Sequence, residues 1–176
     1  MNIQIREELP KDHKAVFELI EKAFETEELS DHREQFLVER LRLSDAFVPE
    51  LSLVYEQDGV VVGYILLTKL KIVNATDTYE SLALAPVAVL PTYQGKGIGG
   101  ALITEAHKRA KALGHTSVVL LGHADYYPKF GYKQTKYYNI SLPFDVPDEN
   151  CMACELIPDG LKGINGIVEY PEAFME

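Results

Sequence analysis

Residues 87–106 read VAVLPTYQGKGIGGALITEA, and four glycines (Gly95, Gly97, Gly99, Gly100) crowd into six positions of that stretch. Upstream lies an apolar, β-like run. Downstream, Ile98, Leu102, Ala106, Ala110 and Leu113 recur at helical spacing, and Gly114 supplies a stop. The glycines therefore stand at a helix entrance. A backbone stripped of side chains turns sharply there and lets several N–H groups converge on one point. The helix adds its unpaired first-turn amides and the positive end of its dipole, so the stretch suits an anion such as a diphosphate. Lys96 adds local positive charge. Glycines kept for close packing alone would be inefficient, since each costs roughly 0.5–1 kcal/mol relative to Ala inside an element.

Working outward, residues 81–91 (SLALAPVAVLP) read as a strand interrupted by Pro86, which cannot donate to a ladder and so implies a bulge or an edge. Residues 116–122 (TSVVLLG) form a short buried strand, and strand–helix–strand from 81 to 122 makes one crossover unit. Residues 51–70 predict a hairpin about Asp58-Gly59, its second run apolar on both faces and hence central. At the start, IQIRE alternates like a strand. Val16, Leu19, Ile20 and Phe24 then mark one helix after Pro10, and Phe36, Leu37, Leu41 and Leu43 a second, with Ser30 or Asp31 as N-cap. The acidic stretch ETEELSD joins them. After residue 122 come a short helix (124–132) and three strands (133–142, 151–157, 166–171), those beyond about 150 completing the sheet. No repeat or linker interrupts the chain. The expectation is a single mixed α/β (α+β) domain over residues 1–176.

The loop satisfies G-x-G-x-x-G, yet residues 91–94 separate it from the strand, and about 75 residues follow, too few for the second half of a dinucleotide fold. A Walker A loop fails as well, because Leu90 stands at its first glycine and Gly97 at its hydroxyl. The segment VAVLPTYQGKGIG instead resembles the acetyl-CoA loop of the GNAT superfamily of N-acyltransferases, apolar-x-V-x-P-x-[FY]-[QR]-[GNR]-x-G-[IVY]-[GA], at every element. The likeness extends over most of the chain.

The resemblance implies a central, mostly antiparallel twisted sheet with a splayed parallel strand pair, flanked by helices. It implies acetyl-CoA as cosubstrate, its diphosphate on the loop formed by Gln94, Gly95, Lys96, Gly97, Ile98, Gly99 and Gly100. Val89 would bond pantetheine, and the Val87 N–H would point at the thioester carbonyl to stabilise its developing negative charge. ADYYPKFGYK is similar to the family's F-Y-x-x-x-G-F segment, which makes Tyr127 the candidate general acid. A phenol with pKa near ~10 can protonate a leaving thiolate whose acid lies at about 8.5. Two departures stand out. LLGHADYY lacks the Asn often found there, with His123 as a substitute, and Ala83 occupies the position of a glutamate base found in some members. The base is unassigned. Glu25, Glu27, Glu28, Asp31, His32 and Glu80 are the acidic and basic residues nearest the expected acceptor pocket.

A net charge of −10 argues against a nucleic-acid partner and suits a cationic one. The longest apolar runs fall far short of the ~20 residues that span a bilayer, and the N-terminus has no secretory pattern, so no membrane partner and a cytoplasmic location are expected. Cys151-x-x-Cys154 lacks further ligands, and on a strand an offset of three sends the sulfurs to opposite faces, which predicts two ordinary thiols and no metal. The function expected is transfer of an acetyl group to a small-molecule or peptide amine by direct attack. A non-catalytic acyl-CoA-binding sensor is the alternative, and a homodimer is compatible with the family.

Overall fold

The computed structural model describes residues 1–28 and 30–175; Leu29, inside the acidic stretch, and Glu176, the last residue of the expected domain, lie outside them. Strand β1 (Ile3–Glu7) leads through a Pro10–Asp12 turn into α1 (His13–Phe24) and α2 (Glu34–Arg42). Then follow β2 (Phe47–Gln57), β3 (Val60–Val73), β4 (Thr78–Val89), α3 (Ile98–Ala112) and β5 (Ser117–Leu121). Two two-residue strands, β6 (Lys133–Gln134) and β7 (Ile140–Ser141), precede β8 (Cys151–Glu155) and β9 (Gly166–Glu169). The sheet runs β1-β2-β3-β4-β5-β8-β6, with β9 pairing both β7 and the far end of β3. Its long strands are antiparallel; β4–β5 is a parallel pair that α3 bridges, and the short β7–β9 pair is parallel too.

Asp58 and Gly59 both take positive φ (51° and 82°), as a tight hairpin requires, and so place β3 between β2 and β4. Side-chain alternation along β2 and β3 then divides the core. Leu51, Leu53, Ile65 and Leu67 face α3, where they meet Leu102, Ile103 and Ala106. Val54, Tyr64 and Leu66 face the opposite side, against Val16, Leu19 and Ile20 of α1 and Val38 and Leu41 of α2. Gly63 lets α3 approach closely, because a Cβ there would lie 2.9 Å from Ile98 Cγ2. A third cluster, including Ile72, Val119, Ala153 and Val168, lies where β9 covers the end of the sheet.

Four local expectations need correction. Leu43, expected in the α2 stripe, is 91% exposed and caps that helix, whose buried apolar residues are Val38 and Leu41. Leu113 is 47% exposed and caps α3 instead of extending its stripe; Ile103 is the buried residue the stripe lacked. Helix α2 starts after Arg33, so neither Ser30 nor Asp31 caps it; Asp31 accepts the Arg33 N–H (2.9 Å) in a local turn. Residues 133–142 are not one strand, since a 3-10 turn at Thr135–Tyr138, ending on Asn139 in the left-handed region, breaks them into β6 and β7. Among the described residues no helix is long and apolar enough to cross a membrane.

Candidate active site

Pro86 shapes the cleft. Between the pairs Ile65–Val87 and Leu67–Leu84, β4 sets Ala85 and Pro86 against Leu66 alone, which is the expected bulge. On its other side β4 pairs with β5 only at Leu82–Val118 and Ala83–Val119, and beyond that point the two strands diverge. The wedge between them is a cleft of about 730 Å³, walled by the end of α1, Glu34 of α2, the second half of β4, the glycine loop and residues 121–130.

Backbone alternation decides which β4 amides face this cleft. The Leu90 N–H donates to the Val62 carbonyl (2.9 Å), toward β3. Amides two residues apart share a side, so Ala88 also faces β3 while Val87 and Val89 point away, into the space that β5 vacates. The Val89 carbonyl accepts a hydrogen bond from the Gln94 side-chain amide at 3.0 Å. Gln94 thus ties the loop to the strand.

The four glycines divide into two pairs with different work. Gly95 and Gly97 hold φ of 78° and 81°, and a Cβ on either would meet nothing within 4 Å. They serve conformation and leave open space beside the backbone. Gly99 and Gly100 are packing glycines: a Cβ would lie 2.9 Å from the Tyr126 hydroxyl in one and 3.2 Å from Phe130 in the other. Close packing therefore accounts for half the set. No side chain caps α3, whose first bond is Ala101 N–H to the Gly97 carbonyl (3.0 Å). Among the described residues, the N–H groups of 95–100 find no acceptor. Six such amides with the helix dipole behind them are an arrangement suited to an anion. Lys129, its ammonium 4.3 Å above the Tyr126 ring, adds positive charge at this end.

Tyr127 opens a 3-10 turn that ends on Gly131 in the left-handed region. Its ring is 9% exposed and packs edge-on to Tyr126 and Tyr132, with centroids 5.0 and 5.8 Å away. Gly122 makes room for it; a Cβ there would fall 2.3 Å from its ring. Among the described residues nothing hydrogen-bonds the Tyr127 hydroxyl, and the residue lines the cleft. Burial, reinforced by Tyr126 and Glu27, pushes the phenol above its ordinary value, so it stays protonated at neutral pH. Behind it, Tyr132 and His107 Nε2 share a 2.7 Å hydrogen bond, and burial lowers His107 to about 4.

Of the acidic and basic residues expected near the acceptor pocket, Glu27 alone lines the cleft, its Oε1 3.3 Å from His123 Nε2. His32 Nδ1 is bonded to the Phe24 carbonyl (2.8 Å), and Asp31 serves its local turn. Glu80 stands at the far end of β4 beside His115. Ala83 is core, so among the described residues β4 offers the cleft no carboxylate. Sequence reasoning passed over Phe24, Lys129, Phe130 and above all Glu34, which lines the cleft from the first position of α2. An acidic residue there reads as a dipole partner, which hid it.

Cys151 and Cys154 are free and buried. The Cys154 thiol packs with the α3-side core, and burial pushes it up to about 11; Cys151 Sγ lies 3.6 Å from the Pro147 carbonyl. Among the described residues no cluster of three or more His, Cys, Asp or Glu side chains is placed to hold a metal.

Comparison with known proteins agrees with this geometry. Residues 14–132 match the model of the acetyltransferase (GNAT) family. The chain is 36% identical over 129 residues to the uncharacterized N-acetyltransferase YjhQ of Escherichia coli K12, covering 72% of this chain and 70% of that one. It superimposes on the crystal structure of E. coli YhbS in complex with CoA with a TM-score of 0.89 at 26% identity, covering 100% of this chain and 93% of that one. A GNAT acetyltransferase of Brucella melitensis in complex with acetyl-CoA gives 0.80 at 32% identity, with 98% of both chains covered. Loop, splayed strands and sequence relationship converge: the chain belongs to the GNAT acetyltransferase family.

Proposed function

We propose that this acetyltransferase carries an acetyl group from acetyl-CoA to a primary amine by direct attack, without an acyl-enzyme. The observation that carries the reading is the row of unpaired amides at 95–100, continuous with a β4 edge whose Val87 and Val89 amides face the same cleft. The loop amides hold the diphosphate. Val89 N–H engages the pantetheine arm, and Val87 N–H donates to the thioester oxygen as it takes on negative charge. Tyr127 gives its proton to the departing sulfur. No cysteine lines the cleft among the described residues, which supports direct transfer.

Two assays test this together. Acetyl-CoA should raise the melting temperature by several degrees while NAD does not. Acetyl-CoA with a panel of amines (spermidine, phenethylamine, lysine amide, an alanyl tripeptide) should release free thiol above the enzyme-free rate. Binding without thiol release would indicate a sensor, and a shift with NAD alone would overturn the coenzyme assignment.

A further inference from the structure

Glu34 is a carboxylate for which the reading above has no use. It lines the acceptor end of the cleft, beside Ala23, Phe24 and Glu27. The Ser30 hydroxyl donates to its Oε2, while Oε1 is shielded from solvent and has no hydrogen-bond partner among the described residues. The Ser30 oxygen also accepts the His32 N–H (2.8 Å), and His32 in turn is bonded to the end of α1, so the carboxylate is oriented by a braced loop. A carboxylate with one oxygen withdrawn from water and without a donor is poorly compensated, and an ammonium in the cleft that Glu34 lines would offset that cost by charge. The neighbouring basic side chains are otherwise placed. His123 stands against Glu27, and Lys129 lies over the Tyr126 ring toward the diphosphate end. The cleft is thus polarised, with positive charge and free amides at one end and carboxylates at the other.

We propose that Glu34 binds the ammonium of the acceptor and removes its proton before attack, which makes the acceptor an aliphatic amine with its carbon chain beside Phe24 and Ala23. This rests on the acetyl-transfer reading. The protonated amine gives one proton to the Glu34 carboxylate. Its freed lone pair forms the C–N bond with the thioester carbonyl, and the C–S bond then breaks. The sulfur takes the Tyr127 proton, and Tyr127 is re-protonated by the second proton leaving the new amide nitrogen. Glu34 returns its own proton to solvent when product leaves. Net, one protonated amine and one acetyl-CoA give one amide, one free thiol and one proton. Glu34 supplies what Ala83 withholds on β4, because near pH 7.4 an alkylamine of pKa about 10.4 is neutral in roughly one molecule per thousand.

The test is Glu34→Gln, an isostere that still accepts the Ser30 hydrogen bond. Thiol release is measured from pH 6.5 to 10 with spermidine, phenethylamine and lysine amide, and with hydroxylamine, which is already neutral at pH 7.5. Acetyl-CoA affinity is followed by calorimetry. The variant should bind acetyl-CoA within about twofold of wild type and lose roughly 100-fold in kcat/KM for the alkylamines at pH 7.5. That deficit should shrink as pH approaches 10 and be smallest with hydroxylamine. Glu34→Asp should recover part of it. An unimpaired Glu34→Gln, or a deficit equal at every pH and with every amine, would overturn the assignment. If wild type binds acetyl-CoA but acetylates none of these amines, the acetyl-transfer reading fails first and Glu34 with it.

Discussion

Replacing Tyr127 with Phe isolates one proton. The ring fills a close-fitted space against Gly122, Tyr126 and Tyr132, and Phe fills it equally. A buried tyrosine that loses a hydrogen bond typically costs about 1 kcal/mol, but no partner for this hydroxyl exists among the described residues. Stability should therefore move by less than about 0.5 kcal/mol at pH 7. Catalysis should not be spared. A general acid supplies roughly 100- to 10,000-fold, and burial, which raises this phenol's pKa, makes it a weaker acid and points to the lower end, about 100-fold in kcat. Acetyl-CoA affinity, measured by calorimetry, should change less than about threefold, since the hydroxyl acts on the departing sulfur. The sign of the pKa change also fixes a pH dependence. The folded state holds this proton beyond the ordinary value near ~10, so the ratio of wild-type to variant rates stays flat from pH 6.5 to 9.5. A kcat within threefold of wild type, or a wild-type alkaline loss centred near pH 8.5 that Tyr127→Phe abolishes, would refute the reasoning.

Gly122→Ala forces a methyl within 2.3 Å of the Tyr127 ring, so kcat should fall at least tenfold, with about 1–3 kcal/mol of stability lost and coenzyme affinity retained; calorimetry beside thiol release separates these effects. His107 is lowered to about 4 by burial, so between pH 6.5 and 4 the unfolded chain binds the extra proton and stability falls with pH, by at most about 3 kcal/mol from this group. Urea titrations of His107→Gln should show a shallower decline across that window. Gly97→Glu sets a negative charge beside the proposed diphosphate; at roughly 4 Å and an effective dielectric of 20 the repulsion is about 4 kcal/mol, near a thousandfold in Kd. Gly97→Ala, which meets no atom within 4 Å, should keep most of the affinity and lose about 1–2 kcal/mol of stability to its positive φ.

The crossover unit, the hairpin and the bulge at Pro86 were legible because each rests on a local physical constraint: a missing amide hydrogen, a two-residue turn, a helical stripe meeting a glycine stop. The loop's position at the start of α3 followed for the same reason. What escaped depended on contacts between distant segments. Gly99 and Gly100 look like their neighbours in sequence, and only the approach of Tyr126 and Phe130 gives them a packing role. Helix α2 begins at Glu34 because Ser30, Asp31 and His32 spend their side chains on a loop, which caps placed by residue type do not anticipate. Glu34 itself has nothing unusual in sequence; the role proposed for it comes from its place on the cleft wall and the burial of one oxygen in the fold. Residues 133–142 have strand composition, yet their outer position in the sheet lets a 3-10 turn interrupt them.

The central claim concerns six amide protons, and nitrogen-15 NMR observes them directly. On titration with coenzyme A, the resonances of Gly95, Lys96, Gly97, Ile98, Gly99 and Gly100 should shift strongly downfield and gain protection from solvent exchange, while amides on the α1 side of the sheet stay still. Binding of coenzyme A with these six signals unmoved would contradict the account.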